Sequence, residues 1–285
     1  MILSMTGFGR AEGVFEGKKI AIDIKSLNSK SFDLNVKVPM RYKEKEFEIR
    51  KMLSDRIIRG KVDCYVSLEN LQESNDVKIN RALIDSYMTE LRSVAGDGPD
   101  FEYLKMAVRL PDAISTKPDE LNEGEWKTII EILLAAVERF EEFRKTEGNI
   151  LHEELQRNLS NIEKYLEDVI PYEEVRLSAV KERYEKTLKE FENVDETRFY
   201  QELAYYTEKL DISEEKVRLA QHLKYYADVM DNENFNGKKL GFIAQEIGRE
   251  INTLGSKANH AEIQKIVVMM KDDLEKIKEQ TLNVL

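Results

Sequence analysis

The 285-residue sequence is poor in cysteine and histidine and has no long apolar run. Its one cysteine, Cys64, excludes a disulfide within the chain and fits a reducing compartment. Three widely separated histidines provide no ligand set for structural zinc. No apolar stretch approaches the roughly 18 residues that span a membrane, and the start lacks the pattern of a secretory signal. We therefore expect a cytoplasmic protein without a membrane segment.

Motifs of common hydrolases and nucleotide-binding proteins are also missing. No G-x-S-x-G occurs. Cys64 shares an apolar strand face with Val62 and Val66, which favours a core residue over a nucleophile. The run Gly255-Ser256-Lys257 lacks the spacing of a P-loop and follows a helix. We interpret it as a helix end with Gly255 in the left-handed conformation.

Charge is abundant but unevenly distributed. Charged residues make up 35% of the chain and the net charge is -11. Residues 1–61 nevertheless carry 14 Lys and Arg against 8 Asp and Glu, a net of +6. A basic N-terminal part beside an acidic body can steer a polyanion to one surface, so the charge pattern permits a nucleic-acid partner.

The first part of the chain has the periodicity of strands. Three stretches alternate apolar and polar residues: 20–24, 34–38 and 62–68. With a helix expected over about 41–58, residues 1–70 should form a small sheet around one helix. A short helix is expected over 80–96, followed by an irregular connector over 101–119. We predict an α+β fold whose N-terminal domain covers residues 1–120.

The second predicted domain, residues 121–285, has the periodicity of helices. A helical pattern runs from 123 to about 191, and Pro171 should break it into a long antiparallel hairpin, because proline lacks an N–H and clashes with the preceding turn. Further helices are expected over 211–285. The last of these, about 261–284, has a heptad-like apolar spacing that suits packing onto another helix.

Residues 211–259 contain two amphipathic helices around which the rest is organised. The apolar stripes on their helical wheels consist of Val217, Ala220, Leu223, Ala227 and Met230 in the first helix, and Leu240, Ile243, Ala244, Ile247 and Ile251 in the second. If these stripes pack together, faces rich in Glu, Arg, His, Gln and Asn remain exposed. Such faces either carry a function or are merely solvated, and spacing alone leaves both interpretations open.

Carboxylates on these faces suggest a hard divalent cation. Mn²⁺ and Mg²⁺ prefer oxygen ligands together with water, and such an ion activates water and stabilises charge on a phosphodiester. The predicted metal ligands are Glu214, Glu215, His222, Glu246 and Glu250. No metal motif of fixed spacing is present, so the prediction rests on residue type and helical face.

Ten short stretches together resemble the bacterial YicC family. They are 4–10 (SMTGFGR), 28–33 (NSKSFD), 59–62 (RGKV), 211–215 (DISEE) with Arg218 and His222, 237–240 (GKKL), 245–246 (QE), 249–250 (RE), 252–253 (NT), 255–257 (GSK) and 279–280 (EQ). Two positions depart from the family pattern. Lys30 stands where an arginine is usual, and Leu282 replaces a glutamine, which weakens any claim for the tail as a site.

The resemblance implies a cytoplasmic, divalent-metal-dependent endoribonuclease that acts on single-stranded or small regulatory RNA. It also implies a homo-oligomer, a hexamer, that encloses RNA. Within that expectation we assign catalytic roles to Glu215, His222, Glu246 and Arg249. RNA contacts are assigned to Arg10, Lys30, Arg59, Lys61, Arg218, Lys238, Lys239, Asn252 and Lys257.

Two other classes of function also fit the sequence. A non-catalytic RNA-binding adaptor, which presents RNA to another nuclease, needs the basic surface but no converging carboxylates. A helical assembly protein needs its charged faces only for contacts between subunits. RNA cleavage by the purified protein separates these alternatives from a nuclease.

Overall fold

A four-stranded sheet forms the N-terminal part of the structure, a computed structural model that describes residues 2–29, 31–71, 77–96, 98–116, 122–189 and 196–285. Its strands are β1 (Gly7–Phe15), β2 (Lys18–Leu27), β3 (Phe32–Lys37) and β4 (Gly60–Asn70). Their spatial order is β1-β2-β4-β3. The β3–β4 pair is parallel and the other two pairs are antiparallel. The predicted alternation is confirmed, with Ile20, Ile22 and Ile24 fully buried.

The helix predicted between β3 and β4 supplies the crossover that a parallel pair requires. It begins as a 3₁₀ turn at Met40–Lys45 and continues as α1, Glu46–Arg56. Gly60 then enters β4 with a φ of 117°, a conformation that glycine adopts without a steric penalty.

Residues 77–116 form a small separate unit. The pair β5 (Val77–Ile79) and β6 (Ile114–Thr116) is antiparallel. Between them lie the helices α2 (Arg81–Ala95) and α3 (Asp100–Ala107). The short helix predicted over 80–96 is confirmed. The prediction of an irregular connector over 101–119 is wrong where α3 and β6 form, because the apolar residues around Ala107 and Ala113 pack against α2.

One helix of 67 residues, α4 (Glu123–Lys189), joins the sheet to the rest of the molecule. Its first part packs on the buried face of the sheet through Ile129, Leu133 and Phe140. A Cβ atom on Gly9 would lie 2.1 Å from the carbonyl oxygen of Ala136. Glycine at this position therefore has a packing role, since it lets the strand approach the backbone of α4.

The predicted break at Pro171 is wrong, and so is the hairpin predicted within 123–191. The helix continues through Pro171 because both of its sides are held by packing. Val169 is fully buried before the proline, and the buried guanidinium of Arg176 donates to the carbonyls of Ala258 and Leu210 after it. A hairpin forms later, where α5 (Glu196–Leu210) lies against the end of α4.

Three more helices complete a second hydrophobic core. They are α6 (Ser213–Asn232), α7 (Gly237–Ala258) and α8 (Ala261–Thr281), and they pack with the middle of α4. The apolar stripes predicted for α7 and α8 are buried, as expected. The stripe predicted for α6 is correct at Leu223 and Met230, which are buried, but wrong at Val217, which is 57% exposed, while Leu219 and Tyr226 are buried instead. Since α6 contacts both α4 and α7, its buried face is rotated from the simple two-helix expectation.

The fold is α+β, as predicted, with a small N-terminal sheet followed by helices. Over the described residues 122–189 no strand interrupts the helix. The domain boundary near residue 120 stays a prediction, because α4 contributes to both hydrophobic cores. Within the described chain no helix is both long and apolar enough to span a membrane.

Candidate nucleic-acid interface

The two ends of the chain meet beside a cavity of about 780 Å³, which we call the junction cleft. Met5 N–H donates to the carbonyl oxygen of Asn283, and Leu285 N–H donates to that of Leu3. This pairing places loops of the sheet next to the start of α7 and the end of α8. The polar residues that line the cleft include Asn28, Arg59, Lys238, Gln245, Lys278 and Glu279. Most of them lie in motifs that are distant in sequence.

The wall contributed by the sheet is fixed by polar contacts. Asn28 Nδ2 donates to the carbonyl oxygen of Leu282 at 2.6 Å, which ties the loop after β2 to the C-terminal tail. Arg59 Nε donates to the carbonyl oxygen of Ser29 at 3.1 Å. The other guanidinium nitrogens of Arg59 make no hydrogen bond or ion pair with a described residue, so they can contact a ligand in the cleft.

A buried arginine lies behind this wall. Arg144 is 5% exposed, and its Nη2 donates to the carbonyl oxygens of Met5 and Arg59 and to Ser26 Oγ, at 3.0 to 3.2 Å. Burial lowers the pKa of the Arg144 guanidinium to about 10. Because one group joins three chain segments, Arg144 positions the backbone of two residues that line the cleft.

The opposite wall is the first turn of α7. A Cβ atom on Gly237 would lie 2.2 Å from the carbonyl oxygen of Val284, so glycine is needed for the tail to reach this position. Gly241 faces open space, which leaves the cleft wide at this point. Lys238 is exposed between the two glycines and makes no ion pair with a described residue.

The cleft combines cationic and carboxylate side chains. Lys278 Nζ lies 3.4 Å from Glu275 Oε2, so these two partly neutralise each other. Glu279 is exposed, and its carboxylate has no hydrogen bond or ion pair within the described chain. Arg59, Lys238 and Lys278 suit a phosphate, and the unpaired carboxylate of Glu279 can accept a proton.

Sequence reasoning found only part of this site. Arg59 and Lys238 were assigned to RNA binding, but Asn28, Lys278 and Glu279 were missed. Asn28 and Glu279 belong to motifs quoted for the family resemblance, which was the available signal. The departure at Leu282 does not weaken the tail as part of the site, because residue 282 contributes its backbone carbonyl and not its side chain.

The predicted catalytic residues do not form one cluster. Glu215 is buried, and its Oε1 lies 2.7 Å from Nζ of Lys257, a predicted RNA contact. Glu250 is also buried, and His222 is half-buried on α6. The side chain of Glu246 is 49% exposed, and its nearest ionic partner is Arg249 at 3.8 Å. In the part of the chain that the structure describes, no three His, Cys, Asp or Glu side chains are grouped to hold a metal ion.

A second cavity of about 800 Å³, the arm cleft, lies at the other end of α7. It is lined by the ends of α4 and α5 and by the last turns of α7, with Tyr184, Tyr206, Lys209, Thr253, Ser256 and Lys257 among its residues. The predicted left-handed position at Gly255 is wrong. Helix α7 continues to Ala258 and Asn259 takes that conformation, since Gly255 instead allows close packing against Val267.

The other predicted RNA contacts lie on several surfaces. Arg10 is on the exposed face of the sheet beside Asp23, and Lys61 is also exposed there. Arg218 pairs with Glu214, a predicted metal ligand. Three predicted contacts remain: Lys239 pairs with Glu233, Asn252 is exposed on α7, and Lys30 lies outside the described residues.

Both halves of the chain match models of one protein family. The profile described as "Endoribonuclease YicC-like, N-terminal region" matches residues 2–153, and "Endoribonuclease YicC-like, C-terminal" matches residues 162–285. The chain belongs to the YicC-like endoribonuclease family. Each of the two YicC-like regions supplies one wall of the junction cleft, with Arg59 in the first and Lys238 in the second.

Two curated relatives match over their full lengths. A protein of Clostridioides difficile (strain 630) named "Probable endoribonuclease YicC" is 28% identical over 292 residues, covering 100% of both chains. A protein of Haemophilus influenzae with the same name is 28% identical over 297 residues, again covering 100% of both. The YicC-like resemblance seen in the motifs therefore extends across the whole chain.

Proposed function

We propose that the protein is an endoribonuclease that hydrolyses phosphodiester bonds of single-stranded or small regulatory RNA in the junction cleft. The observation that carries this proposal is the meeting of the 28–33, 59–62, 237–240 and 279–280 motifs at one cavity with both cationic and carboxylate side chains. The names of the full-length relatives support the activity.

The roles follow from the chemistry of the lining. Arg59 and Lys238 bind non-bridging phosphate oxygens, while Asn28 and Gln245 offer hydrogen bonds to sugar and base. Glu279 accepts a proton from the attacking water as its oxygen bonds to phosphorus. The bond from phosphorus to the leaving ribose oxygen then breaks, and that oxygen takes up a proton. Lys278 stabilises the charge that develops on the phosphate.

The predicted requirement for Mn²⁺ or Mg²⁺ remains a prediction. Its proposed ligands do not converge in this chain: Glu215 is engaged by Lys257, and Glu250 is buried elsewhere on α7. The proposed hydrolysis therefore involves only side chains that line the junction cleft. A metal site that uses these ligands would need carboxylates from a second subunit, as in the hexamer that the resemblance implies. The cytoplasmic location likewise stays a prediction.

Cleavage of labelled RNA by the purified protein tests the proposal. Single-stranded RNA should yield internal cuts in Mn²⁺ or Mg²⁺, and fewer with a chelator if the metal prediction also holds. Binding without cleavage in every condition would contradict the proposal and support the adaptor, which the names of the relatives do not favour. Neither binding nor cleavage would support a purely structural assembly protein.

A further inference from the structure

The exposed face of α7 connects the junction cleft with the arm cleft. Exposed residues recur every three or four positions along this face: Lys238, Phe242, Gln245, Arg249, Asn252 and Ser256. The first three line the junction cleft and the last lines the arm cleft. At 1.5 Å per residue the face is about 27 Å long.

This face is cationic and polar in a chain with a net charge of -11. Its charged residues are Lys238 and Arg249; Glu246 borders the face and lies 3.8 Å from Arg249, whereas Glu250 is buried. A polyanion that leaves the junction cleft therefore meets less repulsion along α7 than over most of the surface.

The arm cleft has the chemistry of a nucleotide site. Among the residues that the structure describes, its lining contains Arg183, Lys209 and Lys257 and no acidic side chain, and Lys257 is paired with the buried Glu215. The rings of Tyr184 and Tyr206 have centroids 5.7 Å apart, and Tyr206 is 39% exposed. An exposed aromatic ring beside cations is the usual arrangement for stacking an unpaired base and holding its phosphate.

We propose that the arm cleft is a second RNA subsite. An unpaired base stacks on Tyr206, Lys209 binds the adjacent phosphate, and the strand runs between the two clefts along α7. Because bases within a duplex are already stacked on one another, this subsite selects single-stranded RNA. The inference rests on the proposed function only in taking the junction cleft as the site of cleavage.

The length of the RNA provides the first test. At the stacked spacing of 3.4 Å per nucleotide, the 27 Å face corresponds to about eight nucleotides at most, since an extended single strand covers the same length with fewer. A fluorescent single strand of about 14 nucleotides can occupy both clefts, whereas one of about 4 can occupy only one. Tyr206→Leu should weaken binding of the longer strand about fivefold or more and leave cleavage of the shorter strand unchanged.

Matched variants separate stacking from general damage. Tyr200→Leu makes the same change on α5 at a ring that does not line the arm cleft, so it should bind both strands like wild type. An oligonucleotide with abasic positions near one end should bind wild type more weakly and show no further loss with Tyr206→Leu. Lys209→Glu should weaken binding of the longer strand and reduce the salt dependence of that binding. Lys127→Glu, at an exposed lysine near the start of α4, should change neither.

The outcomes also distinguish this inference from the proposed function. If wild type cleaves RNA but Tyr206→Leu binds the longer strand as Tyr200→Leu does, the arm cleft is not a subsite, and the proposed function stands. If Tyr206→Leu changes the mass of the particle in light scattering, the ring belongs to a protein interface and the inference is wrong. If wild type neither binds nor cleaves RNA, both proposals fail.

Discussion

At the scale of single residues, Arg144 connects packing to the candidate site. Its buried guanidinium joins the backbones of Met5 and Arg59 and the hydroxyl of Ser26. All three hydrogen bonds come from one terminal nitrogen, Nη2, and a lysine keeps the charge but is too short to place its ammonium at that point. The position therefore needs arginine for geometry as well as for charge.

Arg144→Lys should destabilise the protein by about 2 kcal/mol or more, since hydrogen bonds from a charged group are lost in a buried place. Urea denaturation measures the change. Arg139→Lys is a suitable control, because Arg139 is exposed and donates to one carbonyl, that of Arg10. An equal free energy of unfolding for the two variants would contradict a stabilising role of the Arg144 hydrogen bonds.

Cys64 illustrates a residue whose role was predictable from its strand. It is fully buried, and burial, with a smaller effect of Asp23, raises the pKa of its thiol to about 12. At pH 8 the thiolate fraction is negligible, so iodoacetamide should label the native protein very slowly and the urea-unfolded protein rapidly. Fast labelling of the native protein would contradict the buried position.

Two neighbouring lysines offer a matched test of the junction cleft. Lys238 lines it without an ion pair to a described residue, whereas Lys239 pairs with Glu233 at 2.5 Å and contacts the ring of Tyr225. Lys238→Glu should weaken RNA binding and lower the slope of log affinity against log salt by about one. Lys239→Glu should weaken binding less. An equal loss for both variants in fluorescence anisotropy would argue for a diffuse basic surface.

At the scale of elements, α4 determines the arrangement of both cores. Its interior proline costs helix stability, yet contacts of Val169 and Arg176 keep the helix continuous. Because Pro171 is exposed, Pro171→Ala should stabilise the protein by about 1 to 3 kcal/mol. Thermal and urea unfolding measure this, with Glu167→Ala one turn earlier as the control. Destabilisation by Pro171→Ala would contradict a continuous helix.

Sequence periodicity predicted elements best where a single face is buried. The stripes predicted for α7 and α8 were correct because the apolar residues of each helix fall on the side that is buried. The stripe predicted for α6 was correct at Leu223 and Met230 but wrong at Val217, and the buried face also includes Glu215, which the prediction placed on a polar face. The local signal of Pro171 was likewise overridden by tertiary contacts that a single sequence does not display.

At the scale of the whole molecule, the site arises from the pairing of the chain ends. The bridge between Ser4 and Val284 and the contact of Asn28 with Leu282 bring residues more than 250 positions apart in sequence together. Helical wheels cannot predict such contacts, because they describe one element at a time. The family resemblance identified the motifs, and only the fold shows that they meet.

The central claim is that RNA is cleaved in the junction cleft with Glu279 as the proton acceptor. The most direct measurement is the single-turnover cleavage rate of Glu279→Gln at saturating protein, compared with Glu246→Gln on α7 and with Glu262→Gln on α8 outside the cleft. Glu279→Gln should slow cleavage about 100-fold or more while RNA affinity and fold are kept. Wild-type cleavage by Glu279→Gln would contradict the claim, and a selective loss in Glu246→Gln would restore the site predicted on α6 and α7.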